Sequence, residues 1–231
     1  MQNNVDKNTN QPIKLVIFDM DGTIFDTERL GIQKWVEAAK RLGAQVSEGA
    51  LYSKIGLNAK DSKKFLQKRC GEDFDYDIVK ALKKQLVNDY IAEMGTPIKE
   101  GFFELIEFLR NQKIKTALAT SRTRGNTMHY LKHAGKEVAG LFDFIVTGDM
   151  IERGKPNPDI FLKAADALGI SAENSLVIED SPNGMKAAFA AQMRAVMIPD
   201  LVQPDVELCK SIFFVKHNLQ EVITIISQVD T

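Results

Sequence analysis

A chain of 231 residues with 30 basic against 31 acidic side chains has no charge excess with which to hold nucleic acid or an anionic membrane surface. Its 44% apolar content is that of a globular protein, and its length allows one large domain or a core with a smaller companion. No apolar run reaches the length of a membrane span, and the two cysteines, Cys70 and Cys209, lack ligand-spaced neighbours and read as free thiols of a reducing compartment.

Residues 1–12 are polar and Asn-rich and read as a disordered leader. They lack the apolar stretch of a signal peptide, so the cytoplasm is the expected location. Then Leu15 to Phe18, a short and partly β-branched run, breaks into Asp19, Met20, Asp21, Gly22 and Thr23. This is the pattern of a strand buried in a parallel sheet. In an extended backbone, side chains two residues apart point the same way. Asp19 and Asp21 therefore aim at one volume beyond the carboxyl end of the strand, where open α/β sheets collect ligands. Two carboxylates so placed repel unless a cation or a shared proton compensates, and Mg²⁺ with a substrate phosphate suits them. Asp and Gly are also ordinary turn residues, and the pair alone reads equally well as a capped turn.

Ile24 to Glu28 leaves the strand as a turn or small hairpin. From Arg29 to about Gly95 helical periodicity replaces strand patterns. Ile32, Trp35, Val36 and Ala39 form one stripe. Asp61 is placed to cap a helix carrying Phe65 and Leu66. Ile78, Leu82, Leu86 and Tyr90 recur every four residues. Residues 28–96 are thus a helical insertion that divides an α/β core into 13–27 and 97–231.

Beyond Pro97 helices and strands alternate. Phe102, Leu105, Ile106 and Leu109 mark a helix, and Lys115 to Ala119 a strand ending in Thr120, Ser121 and Arg122. A helix through Met128 and Leu131 is followed by a strand Phe144 to Val146. The loop Gly154-Lys155-Pro156-Asn157-Pro158 introduces a helix with Ile160, Ala164 and Leu168. A strand Ser175 to Ile178 ends in Glu179 and Asp180, and a helix follows near Met185 to Ala191. Strands Ala195 to Ile198 and Ile212 to Val215 complete the set. Such alternation predicts a parallel sheet with right-handed crossovers.

Polar groups fall at successive strand ends, and the constellation can be taken as a phosphoryl-transfer site. Asp19 is then the nucleophile that forms an aspartyl-phosphate. Asp21 protonates the leaving oxygen and later deprotonates water. Mg²⁺ is held by Asp19, Asp180 and the backbone carbonyl of Asp21, with Glu179 a ligand or a partner to the ligands. Thr120 and Lys155 hold phosphoryl oxygens.

Phe18-Asp19-Met20-Asp21-Gly22-Thr23, Ala119-Thr120-Ser121, Gly154-Lys155-Pro156-Asn157-Pro158 and Ile178-Glu179-Asp180-Ser181 resemble the four ordered motifs of the haloacid dehalogenase superfamily. The insertion resembles the small α-helical cap of its β-phosphoglucomutase-like and phosphoglycolate-phosphatase-like branch. The resemblance implies a Rossmann-like core, Mg²⁺ dependence, the aspartyl-phosphate route and a cap that closes over the core. It also implies substrate contacts from Ser121 and Arg122 and, in the cap loop Ile55 to Lys60, from Asn58 and Lys60. Arg122 and Arg124 lie where relatives hold a second phosphate; a solvated pair at a helix start is the plainer reading.

True dehalogenases of this superfamily lack the second Asp, so Asp21 argues against an alkyl halide. Mutases of the branch carry a His twelve residues after the nucleophile, where this chain has Gly31. The expectation is a phosphatase acting on a small phosphate ester, such as a sugar phosphate, as a monomer. A β-phosphoglucomutase-type mutase is the alternative. His129 and His133 sit one helical turn apart without a third ligand, and Trp35 reads as cap core.

Overall fold

The computed structural model describes residues 11–55, 59–71, 74–135, 137–204 and 214–229. Contacts divide the chain into one unit that runs up to Phe25 and resumes at Pro97, and another, Asp26–Thr96.

In the first unit the short apolar runs become β1 (Leu15–Phe18), β2 (Lys115–Thr120), β3 (Phe144–Thr147), β4 (Ser175–Glu179), β5 (Arg194–Met197) and β6 (Phe214–Val215). They form one parallel sheet in the order β3-β2-β1-β4-β5-β6. All four residues of β1 are buried, as a strand covered on both faces requires. Alternate residues supply the two faces. Leu15, Ile17, Ala117, Ala119 and Val177 pack with Ile160, Phe161 and Ala164 from one helix and Met185 and Ala188 from another. On the opposite face Phe18 meets Phe102 and Phe142 edge-on, with ring centroids 5.9 and 6.1 Å apart. Truncating a core side chain such as Ile17 costs about 2–5 kcal/mol. This rigidity holds the strand ends in place.

The second unit contains α1 (Thr27–Arg41), α2 (Glu48–Ser53), α3 (Ala59–Cys70) and α4 (Tyr76–Met94), and α1 packs along α4. Trp35 is buried, its ring centroid 5.4 Å from that of Tyr76. Ser47 caps α2 by accepting the Ala50 amide at 3.2 Å, and Asp75 caps α4. Two details differ from the sequence expectation. Asp61 lies inside the first turn of α3 and is not its cap. The four-residue stripe through Ile78 is also displaced: Ile78 is 54% exposed, and α4 buries Tyr76, Val79, Leu86, Val87 and Ile91. A strict period of four drifts around a helix of 3.6 residues per turn, whereas mixed steps of three and four keep one face inward. Of the cap loop, residues 56–58 lie outside the described residues, Asn58 among them; Lys60 is in the first turn of α3 and exposed.

The remaining helices are α5 (Phe102–Asn111), α6 (Arg124–His133), α7 (Asp159–Ala167), α8 (Pro182–Ala190) and α9 (Glu221–Val229). In α6 the buried residues are Thr127, Tyr130 and Leu131, while Met128 is exposed. Helix α9, absent from the sequence expectation, packs on α5 and buries Val222, Ile225 and Ile226. Among the described residues no helix is long and apolar enough to cross a membrane. Cys209, Ile212 and Phe213 lie outside the described residues.

Candidate active site

Strand β1 lies between β2 and β4, so the chain leaves it to one side and later returns on the other. Such a reversal opens a crevice beyond the carboxyl ends of the strands. The β1–β4 register continues through Asp19, whose amide donates to the Ile178 carbonyl at 2.9 Å. After Asp21 the chain turns tightly, with the Ile24 and Phe25 amides both 3.0 Å from the Met20 carbonyl. Gly22 meets two demands in this turn. Its φ of +79° is costly for any other residue, and a Cβ there would lie 2.1 Å from Asp180 Oδ2. The carboxylate of Asp180 thus rests against the first turn of the site.

Lys155 reaches the crevice from the Pro-flanked loop before α7. Its ammonium group donates to Asp19 Oδ1 at 2.5 Å, Glu179 Oε1 at 2.7 Å and the Ala119 carbonyl at 3.3 Å. Its three protons thus have acceptors from the ends of β1, β2 and β4. The ring of Phe161 lies beneath it, 4.9 Å away. The other oxygen of Glu179 accepts the Ser181 amide at 2.7 Å and the Ser181 hydroxyl at 2.8 Å. Ser181 in turn caps α8 through the Gly184 amide at 3.0 Å. Lys155, Glu179, Ser181 and the start of α8 are therefore one bonded chain.

Thr120 ends β2, buried, and its Oγ1 accepts the Arg122 amide at 3.2 Å. The Arg122 guanidinium turns back across the crevice. Nε donates to Asp21 Oδ2 at 2.6 Å and Nη2 to Asp21 Oδ1 at 2.7 Å, while the guanidinium carbon lies 4.2 Å from the Tyr130 ring centre. Ser121 is exposed at the same turn, and the Arg124 amide donates to the Asp149 carboxylate at 3.1 Å.

A family model described as haloacid dehalogenase-like hydrolase matches residues 16–198. The chain belongs to this family. The hydrolase is 30% identical over 198 residues to the phosphorylated carbohydrates phosphatase of Thermotoga maritima, covering 80% of this chain and 84% of that protein. It is 27% identical over 179 residues to the validoxylamine A 7'-phosphate phosphatase of Streptomyces hygroscopicus subsp. limoneus, covering 77% of this chain and 82% of that one. Among solved structures, the HAD hydrolase, family IA, variant 3, of Entamoeba histolytica superposes with a TM-score of 0.74 at 27% identity, covering 93% of this chain and 100% of that one.

The hydrolase gathers its acids unevenly. Asp19, Glu179 and Asp180 each bring a carboxylate oxygen within 4.8 Å of the others, the sole such group of three potential metal-ligating side chains among the described residues. Hard oxygen donors converging beside a glycine that leaves room for Asp180 fit a cation such as Mg²⁺. The Asp21 side chain faces Arg122. His133 Nδ1 lies 2.8 Å from the His129 carbonyl, a bond within its own helix.

Burial pushes the Asp19 carboxyl up to about 8, the Glu179 and Asp21 charges add to the rise, and Lys155 opposes it. Burial alone would lower Lys155, but Asp19 and Glu179 outweigh it and hold its ammonium above the usual lysine range. For Arg122 burial also acts downward, and the Asp21 carboxylate overcomes it. Sequence reading placed the acids and the lysine. It did not find the Arg122–Asp21 pair, Tyr130, or the roles of Ser181 and Gly184. The Ser-Pro-x-Gly spacing of a capped helix start was the available signal for the last two.

Proposed function

We propose that this hydrolase cleaves the phosphate monoester of a small metabolite, a sugar phosphate or a close analogue, through a phosphorylated Asp19. The observation that carries this reading is Lys155 on Asp19 Oδ1 at the switch point of the sheet, with Asp21 two residues on. Asp19 Oδ2, which has no protein partner among the described residues, attacks phosphorus, and the P–O bond to the alcohol breaks. Asp21 gives its proton to the departing oxygen. Water then attacks the acyl phosphate, Asp21 takes the water's proton, and phosphate leaves with Asp19 restored. Lys155 fixes the nucleophile and, giving up its long 3.3 Å bond to the Ala119 carbonyl, joins the Thr120 hydroxyl in holding the phosphoryl oxygens. Mg²⁺ would be held by Asp19, Asp180 and the Asp21 carbonyl, and when bound it neutralises phosphoryl charge. Both Glu179 oxygens are engaged, by Lys155 and Ser181, so Glu179 orients the lysine from behind the ligands.

Sugar-like substrates are supported by the carbohydrate phosphatase of Thermotoga maritima among the relatives. Hydrolysis is favoured over a mutase reaction because Gly31 offers no proton acceptor, and the Lys83 amine lies 3.2 Å from where a Cβ at residue 31 would be. We further place the enzyme in the cytoplasm as a monomer. Phosphate release from a panel of phosphorylated metabolites, with and without Mg²⁺, tests the reading. Release is expected to require the cation and to fall more than about a thousand-fold in Asp19→Asn. Turnover by that variant at the native rate overturns it.

A further inference from the structure

The second unit holds a cavity of about 420 Å³ lined by Lys54, Lys80, Lys83 and Lys84 around Trp35 and Tyr76. Asp77 shares the wall, but its carboxylate is bonded to Lys63 on α3. Lys54, Lys80 and Lys84 have no acidic side chain within ion-pair distance among the described residues. Lys80 and Lys84 are exposed, whereas Lys54, which directly follows α2, is half-buried. Its amine stands 5.3 Å from the centre of the Trp35 ring, and that of Lys80 stands 5.8 Å from the Tyr76 ring. An aromatic face attracts the charged form and so fixes where each side chain stands. Burial pulls the Lys54 amine below the usual lysine range, and Lys80 adds to this against the opposing charge of Glu28. A desolvated amine beside a second cation is the setting in which lysine becomes a nucleophile.

We propose that Lys54 is a modification site for aldehydes that carry a phosphate: its amine forms an imine with the carbonyl carbon while Lys80 and Lys84 hold the anion. In the unprotonated fraction the nitrogen lone pair adds to that carbon. A proton passes from nitrogen to oxygen, and the carbinolamine expels water to leave a C=N bond. The change is redox-neutral, needs no other reactant and is reversed by water. Phosphate matters because the cavity has cations to spare. An uncharged aldehyde meets the amine alone, whereas a phosphorylated one is also drawn by two lysines that no acid neutralises. The walls suit the rest of such a molecule, since Trp35, Tyr76 and Ala81 present apolar surface beside the amines. The adduct replaces a cation with an imine and brings a phosphate, so the cavity's charge changes sign of excess without any residue moving. No group of the Asp19 crevice takes part, and the site stands whether or not Asp19 is phosphorylated.

The test treats the wild-type protein, free of divalent cation, with two matched pairs: glyceraldehyde 3-phosphate against glyceraldehyde, and pyridoxal 5'-phosphate against 5'-deoxypyridoxal. Cyanoborohydride reduces each imine to a stable amine, and peptide mass spectrometry gives the rate at every lysine relative to the median lysine. With a phosphorylated aldehyde Lys54 is expected to be trapped about ten-fold faster than the median, since a larger free-base fraction and a held anion act together. Without the phosphate its lead should shrink about five-fold. Lys84→Gln takes a cation from the cavity at a position that is not among the groups acting on the Lys54 amine. In that variant the phosphate dependence should fall below about two-fold, while the rate with the unphosphorylated aldehyde holds. In urea the lead should vanish, which ties it to the folded cavity. Selective trapping by both phosphorylated aldehydes assigns the site to the whole class; selectivity with one assigns it to the sugar or the aromatic kind. A Lys54 rate at or below the median, a lead that survives in urea, or a phosphate dependence absent from the wild type or untouched by Lys84→Gln overturns the proposal.

Discussion

The carboxylate of Glu179 occupies the space that a side chain at residue 184 would need: a Cβ on Gly184 would lie 1.7 Å from Glu179 Oε1. In an ordinary helix, exchanging glycine for alanine gains about 1 kcal/mol. Here the sign reverses, because the displaced acid is tied to Lys155 and Ser181. Gly184→Ala is expected to lower the thermal midpoint, costing about 1–3 kcal/mol, and to reduce turnover. Gly125 is the control: it lies in α6 with nothing within 4 Å of a Cβ, and Gly125→Ala should be neutral or raise the midpoint. Calorimetry of the two variants checks both signs.

Lys155 donates to two buried acids at once. Lys155→Met should abolish turnover and cost about 3–5 kcal/mol, because the buried Glu179 carboxylate is left without a cation. Adding Glu179→Gln removes the stranded charge. The double variant should therefore regain part of the urea midpoint while remaining inactive. A double variant as unstable as the sum of the singles would contradict this coupling.

The raised Asp19 carboxyl makes stability depend on pH. The folded value of about 8 exceeds the ordinary 3.8, so across that interval the native chain retains a proton that the unfolded chain has lost. Asp19's contribution is complete below about pH 4 and is lost as pH climbs through about 8. Denaturant midpoints measured without divalent cation should thus decline between these limits, and Asp19→Asn should flatten the decline. Lys155, Glu179 and Asp21 face this group and remain in the variant. Mg²⁺ binding near pH 7 should release protons, visible by calorimetry in buffers of different ionisation enthalpy.

Ile78 and Ile91 belong to the same helix but should respond in opposite ways. Ile78→Lys should change stability by no more than about 0.5 kcal/mol, since its side chain is largely in solvent. Ile91→Ala, fully buried, should cost about 2–5 kcal/mol. Chemical denaturation of both variants measures the difference.

These cases show where sequence patterns carry and where they stop. Strand β1 was legible because an apolar run interrupted by two acids and a glycine has few other uses. Lys155 and Asp180 were legible because each stands in its own turn motif between predicted elements. Ile78 was misjudged because a period of four and a period of 3.6 agree over one turn and part company over three. Helix α9 was missed since Val222, Ile223, Ile225 and Ile226 are β-branched and favour a strand as readily as a helix. Arg122 was noticed, but its partner was not. A fork between residues 101 positions apart depends on how two loops lie in space, and nothing local in either loop records it.

The wide sequence separation within the crevice also bears on how the protein is made. Asp19 and Lys155 meet across 136 positions, and β4 brings its acids only after β2 and β3 have been added. A growing polypeptide on the ribosome holds Asp19 for most of synthesis without Lys155, Glu179 or Asp180. The acidic crevice therefore cannot be completed until synthesis has passed Asp180.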